Sequence, residues 1–272
     1  MAALAQGAAQ AVDVIAAVRA GIDLLRCAAD RPAQRRIEET LRAAGARGLF
    51  EPGELEASSA RLADLRSSLA AAGPTPDLSV VGSAEHRGLS RRVAEASLTR
   101  LDRAPGGGNP VPIKFAPGTR ILAIMPQPTD LTPADTSSFV TPGLGRALRT
   151  RFDSVEEVVV PVTPGDPEIE ALARALAGGF DAVVVGTIEA HRLPAQAAMV
   201  RAIAQTGIRM VAVAMRTPWD ASVYPADLPA IATYSILPDP LEALPLEALA
   251  RALVGEIGLP GRLPVSVPAA PR

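Results

Sequence analysis

Phe180-Asp181-Ala182-Val183-Val184-Val185-Gly186-Thr187, then Leu193-Pro194-Ala195-Gln196-Ala197-Ala198-Met199-Val200-Arg201-Ala202-Ile203-Ala204, then Gly207-Ile208-Arg209-Met210-Val211-Ala212-Val213-Ala214-Met215 is the stretch that decides the fold. The first run is short, apolar and rich in β-branched residues, without polar alternation. That pattern predicts a strand buried on both faces. In the middle segment Met199, Val200 and Ile203 recur at helical spacing, and Pro194 suits a first helical turn. Gly207 stops the helix and a second apolar run follows at once. Strand, crossover helix and parallel strand make one right-handed βαβ unit. In open sheets of this kind ligands bind beyond the carboxyl ends of the strands. Those ends carry Thr187-Ile188-Glu189-Ala190-His191-Arg192 and Arg216-Thr217-Pro218-Trp219-Asp220.

The alternation continues on both sides of this unit. Upstream, strands are predicted at Arg120–Met125 and Glu157–Val162, and helices at Pro142–Phe152 and Asp166–Ala177, with Asp166 as N-cap. Downstream come a strand at Ala230–Tyr234, a helix over Pro240–Gly255 and a closing edge strand at Arg262–Pro268, whose prolines suit no other position. Together these predict an α/β domain with a doubly wound, mostly parallel sheet over residues 119–268. Residues 73–118 read as a linker and connecting helix (His86–Leu101), followed by a surface loop with Gly106-Gly107-Gly108. Residues 1–72 read differently: helices at Met1–Ala20, Pro32–Ala44 and Glu54–Leu69, with a lone strand at Ile22–Cys27. One strand makes no stable sheet, so this region reads as the end of something larger.

Bulk properties narrow the function classes. The 272 residues hold 27 Lys plus Arg against 29 Asp plus Glu, a balance that gives no case for nucleic acid or an anionic membrane surface as partner. No apolar run reaches the ~20 residues of a membrane span. The N-terminal stretch lacks a basic n-region and Asp13 interrupts it, so it is not read as a signal peptide. A cytoplasmic location is expected. The single cysteine, Cys27, allows no intrachain disulfide and reads as a small buried hydrophobe. With only His86 and His191 and no paired-ligand spacing, neither a metal nor a cofactor is expected. GxGxxG, GxxxxGK[ST] and GxSxG are all absent.

The strand-end loops carry the candidate site: Glu189, His191, Arg216 and Asp220. Facing one cleft, they would bind a polar ligand or complete a neighbour's pocket. Alternatively Arg216 and Glu189 form an ordinary loop ion pair and His191 is solvated.

From Val184 onward the chain resembles the C-terminal domain of glycoside hydrolase family 3, especially its β-N-acetylhexosaminidase-like members. The resemblance rests on Val185-Gly186-Thr187, Gln196 to Ala202, Val213 to Asp220, Ile231 to Ser235, and Leu253 to Pro268, the last with a Gly-Glu…Pro-Gly-Arg-Leu-Pro-Val pattern. The front third is similar as well. Ala16 to Leu25 resembles the last strand of that family's TIM-like barrel with the helix before it, and Glu54 to Leu62 the helix that follows. The resemblance implies a retaining glycosidase of carbohydrate metabolism acting on N-acetylglucosaminides. Such an enzyme needs two carboxylates about 5 Å apart. It also implies an aspartate nucleophile just ahead of residues resembling Met1-Ala2-Ala3-Leu4, with the acid/base earlier still, so no catalytic residue is carried over to this chain.

Three readings follow: a family 3 hydrolase whose catalytic barrel residues lie outside this chain, a non-catalytic sugar-binding or interaction module, and an unrelated α/β ligand-binding domain. A barrel remnant of one strand would expose apolar surface, so residues 1–70 are expected to be poorly ordered or to associate when expressed alone.

Overall fold

The computed structural model describes residues 8–26, 30–101, 113–132, 134–234, 236 and 243–268. Cys27 and Gly106 to Gly108 lie outside the described residues, so the readings made on them do too. The chain divides into two compact units, Met1–Leu78 and Ser79–Arg272.

The first unit is helical: α1 Ala8–Arg19, α2 Arg31–Ala46 and α3 Pro52–Ala70. Pro32 and Pro52 sit in the first turns of α2 and α3, where a missing N–H costs nothing. α1 packs on α2, burying Val14, Ile37 and Ala44. The strand expected at Ile22–Cys27 does not form. Residues 22–26 form no regular element, and Ile22 and Leu24 are exposed. An apolar run becomes a strand only when a neighbouring strand pairs with it, and among the described residues no strand pairs with this one. Arg61 instead forks onto Asp23 with two bonds of 2.7 Å, and this guanidinium, with the Ser58 hydroxyl, lowers the Asp23 carboxyl to a pKa of about 2.

The second unit is an α/β sandwich around a six-stranded sheet. Its elements are α4 Ala84–Ser97, β1 Thr99–Arg100, β2 Arg120–Pro126, α5 Leu144–Leu148, β3 Ser154–Val160, α6 Asp166–Leu176, β4 Ala182–Thr187, α7 Pro194–Gln205, β5 Arg209–Ala214, β6 Ala230–Ala232 and α8 Ala243–Val254. The strand order is β1-β6-β5-β4-β2-β3, parallel throughout except for β1. The predicted βαβ unit is β4-α7-β5, paired from Ala182↔Arg209 to Thr187↔Ala214. All six residues of β4 are buried, which explains its unbroken apolar run.

Pleating sends alternate side chains to opposite faces. Ile121, Ala123 and Met125 of β2 join Leu144 and Leu148 of α5 and Leu246, Leu249 and Leu253 of α8. Leu122 and Ile124 join Leu172 of α6 and Met199, Val200 and Ile203 of α7. Two helical layers therefore cover the sheet, α4, α5 and α8 on one side and α6 and α7 on the other.

Three local expectations are corrected. The helix expected to reach Leu101 ends at Ser97, because Thr99–Arg100 pairs antiparallel with β6. The cap of α6 is Gly165 rather than Asp166, with the Glu168 carboxylate accepting from the Gly165 N–H at 2.9 Å. Residues 261–268 form no edge strand. Gly261 instead donates its N–H to the Leu98 carbonyl at 2.9 Å. A Cβ there would stand 2.6 Å and 2.7 Å from the carbonyl oxygens of Ser97 and Leu98, so only glycine fits.

Candidate functional site

From β2 the chain runs outward to β3, then returns across β2 to β4. The order reverses there, the position beyond whose strand ends open α/β sheets bind ligands. The four sequence-predicted site residues all stand on the loops after β4 and β5, and the structure brings them into one contiguous cluster.

Thr187 ends β4 paired with Ala214 of β5, which pairs with Ala232 of β6. Two residues past each of these strand ends stand Glu189, Arg216 and Tyr234. Glu189 (φ 62°) and Tyr234 (φ 54°) are the non-glycine residues with left-handed backbone among the described residues. That conformation costs on the order of 1–3 kcal/mol and needs support from its surroundings. For Glu189 the support is Gln196, wholly buried on α7. Its Oε1 accepts from the Ile188 N–H at 2.7 Å, and its Nε2 donates to the carbonyls of Ile188 (2.9 Å) and Val162 (2.8 Å). Two of its bonds pin Ile188 on the β4 loop, and the third ties the same side chain to Val162 after β3.

Asp220 is wholly buried at the start of a short 3-10 helix, Pro218–Val223. Its Oδ2 accepts from the Thr187 hydroxyl at 2.6 Å, and its Oδ1 from His191 Nδ1 at 2.8 Å. Because the Thr187 hydroxyl has a single proton, committed to Asp220, the Tyr224 hydroxyl 2.5 Å away is the donor to Thr187. Burial first, then the nearby Asp220 charge, push the Tyr224 phenol well above its ordinary pKa, so it keeps that proton. The relay Tyr224–Thr187–Asp220–His191 thus fixes the imidazole with Nδ1 inward. Its Nε2 faces Glu189 Oε2 at 3.8 Å.

Arg216 links this group to a residue that sequence reasoning missed. Its Nη1 donates to Asp135 Oδ2 at 2.6 Å while its Nε lies 3.7 Å from Glu189 Oε1. Asp135 also accepts from the Ser137 hydroxyl (2.6 Å) and from the N–H groups of Ser137 (3.0 Å) and Leu131 (3.1 Å). Burial works to raise its pKa, but the bonds from Ser137, Arg216 and Leu131 outweigh it and hold the carboxyl well below the usual range. The available signal was the Asp135-Thr136-Ser137 turn on the loop after β2.

Other residues frame the cluster. Gly186 permits close packing beneath it, since a Cβ there would stand 2.6 Å from the Met215 sulfur. The Trp219 ring lies 6.1 Å from the His191 ring, tilted by 54°. The Tyr234 hydroxyl and Thr217 Oγ1 find no hydrogen-bond partner. His86 lies apart, exposed on α4. Among the described residues no group of His, Cys, Asp and Glu is arranged to hold a metal ion, and no helix is long and apolar enough to cross a membrane.

The cluster can hold a polar ligand by charge-assisted hydrogen bonds. Two of its carboxylates are already committed, Asp220 inside the protein and Asp135 under three residues, whereas Glu189 stands 3.5 Å from Arg192, 3.7 Å from Arg216 and 3.8 Å from His191.

No family model and no curated protein matches the chain. Solved structures do. A glycoside hydrolase family 3 β-N-acetylglucosaminidase from Paenibacillus sp. str. FPU-7 superposes with a TM-score of 0.66 at 25% identity, covering 96% of this chain and 48% of that one. A fungal multi-domain family 3 β-N-acetylglucosaminidase gives 0.64 at 23% identity, over 97% and 29%. A β-glucosidase from Listeria innocua, in complex with glucose, gives 0.57 at 18% identity, over 90% and 35%. The chain spans about half the length of the first of these proteins and less of the others. It carries a glycoside hydrolase family 3-like fold, of the kind found in that family's β-N-acetylglucosaminidases.

Proposed function

We propose that the chain is the sugar-binding half of a family 3 hydrolase of the β-N-acetylhexosaminidase class, and that its strand-end cluster contacts carbohydrate. The observation that carries this reading is Arg216, held between Asp135 and Glu189 at the switch point of the sheet. Paired carboxylates and a fixed guanidinium suit the hydroxyl and amide groups of a sugar. In this reading residues 1–72 are the end of a TIM-like barrel, residues 73–118 the connection and residues 119–268 the C-terminal domain. The role assigned to the cluster is binding rather than nucleophilic attack. A glycosidase nucleophile must reach the anomeric carbon, whereas Asp220 is sealed from solvent and Asp135 is tied to Ser137, Leu131 and Arg216.

Calorimetric titration of the purified chain with N-acetylglucosamine tests the reading, alongside turnover of a chromogenic β-N-acetylglucosaminide. Saturable binding is expected, weakened about tenfold or more, some 1.4 kcal/mol, in Glu189→Gln, with no turnover by the chain alone. Absence of binding would overturn the sugar-binding role. Turnover that survives repurification would move the chemistry onto a carboxylate of this cluster.

A further inference from the structure

The loops that carry the polar cluster also carry two aromatic side chains that the fold leaves exposed. Trp219, the chain's single tryptophan, is 40% exposed although Pro218 and Asp220 on either side of it are buried. Its backbone is therefore anchored while its indole stays at the surface, resting on the His191 ring. At the other end Phe139 is 76% exposed. It follows Ser137 and Ser138, whose hydroxyls donate to Asp135 and Asp130 at 2.6 and 2.8 Å. A chain of neighbouring groups runs from Trp219 through His191, Glu189 and Arg216 to Asp135, on whose loop Phe139 stands. Trp219 and Phe139 are the large exposed aromatics among the described residues, and both stand on this one edge of the sheet.

A pyranose ring with equatorial substituents presents C–H faces to an aromatic plane and hydroxyls around its rim. An aromatic platform beside fixed charged groups matches both surfaces at once. An aromatic at each end of the polar strip provides for more than one ring.

Resting on the carbohydrate reading above, we infer that Trp219 and Phe139 are stacking platforms at the two ends of the strip, and that the ligand is an oligosaccharide whose sugar rings engage both. Trp219 and the Glu189–Arg216 pair hold one ring; Phe139 holds a ring further along the same ligand. A monosaccharide fills the first place only.

The single tryptophan makes the test direct, because its fluorescence reports on Trp219 alone. N-acetylglucosamine and its β-1,4-linked trimer are titrated by calorimetry into the wild-type chain and into the Trp219→Ala, Trp219→Phe and Phe139→Ala variants, and by fluorescence into the wild type and Phe139→Ala, which keep the tryptophan, with thermal melts of each. The wild type is expected to show a saturable shift in emission and to bind the trimer about tenfold more tightly than the monomer. Trp219→Ala should weaken both ligands about tenfold and Trp219→Phe less, with melting points kept. Phe139→Ala should weaken the trimer alone. Equal affinity for monomer and trimer overturns the two-platform inference and leaves the sugar-binding reading standing. Calorimetric binding with unchanged emission, or variants with wild-type affinity, does the same. A lowered melting point in Phe139→Ala would show that residue to be structural and overturn its role. No calorimetric binding by the wild type overturns both.

Discussion

α3 and α8 are built from similar residues and fare differently. α3 carries Leu55, Leu62, Leu65 and Leu69 along one side at helical spacing, yet buries none of its residues. α8 carries Leu246, Leu249 and Leu253 at comparable spacing and buries all three. The difference is the neighbour. α8 lies on a sheet with α4 and α5 beside it, whereas Leu65 and Leu69 meet no such surface among the described residues. An apolar stripe is only a capacity for burial, and most of a helix's stability comes from what the stripe packs against. The same holds for the apolar runs Ile22–Leu25 and Val183–Val185. The second has strands on both sides and has become the centre of the core, while the first pairs with no strand among the described residues and stays partly exposed.

Substitutions can break or sharpen this contrast. Leu249→Ala should have the largest effect, a loss of about 3–5 kcal/mol in urea unfolding of the second unit. A loss near zero would mean that α8 is no better supported than α3. A smaller effect is expected at the edge of the core. Asp135→Asn should cost about 2 kcal/mol at neutral pH by weakening its bonds to Arg216 and Ser137. Because the folded carboxyl titrates well below the unfolded value of about 3.9, its stabilisation is complete above that value and is lost progressively as pH falls from there through the folded value. Unfolding at pH 7, 4 and 2.5 should therefore show wild type and variant converging as acid is added. Parallel curves would mean that the carboxylate contributes no linked stability. Smallest of all, Leu65→Ala on α3 should change stability by about 0.5 kcal/mol or less; a larger loss would show that its stripe is covered in solution.

The same physics explains what could be read in advance. The β4-α7-β5 unit was legible because both strands are buried on two faces, so composition and topology agree. Glu189, His191, Arg216 and Asp220 were legible as a group because strand ends in such a sheet converge. Asp135 was not, since it reaches Arg216 across 81 positions of sequence from a loop that reads only as a turn. Gln196 looked like one residue of a matching helix, and its role is visible only once three backbone groups are seen to close on it. Thr99–Arg100 is too short to carry a periodicity, and at Arg262–Pro268 the β-branched residues outweighed prolines that have no N–H to give a ladder.

The small strand β1 has a consequence beyond architecture. A parallel sheet ends in a row of free amide and carbonyl groups, which another chain can extend. Here one margin is closed by two antiparallel residues, Thr99 and Arg100, with Gly261 docked on the neighbouring Leu98 carbonyl. The opposite margin, β3, carries Glu156 and Glu157, engaged by Arg120 and Arg149. Neither side offers a long, flat, uncharged template, so the sheet resists edge-to-edge growth into fibrils however strongly its centre favours strand.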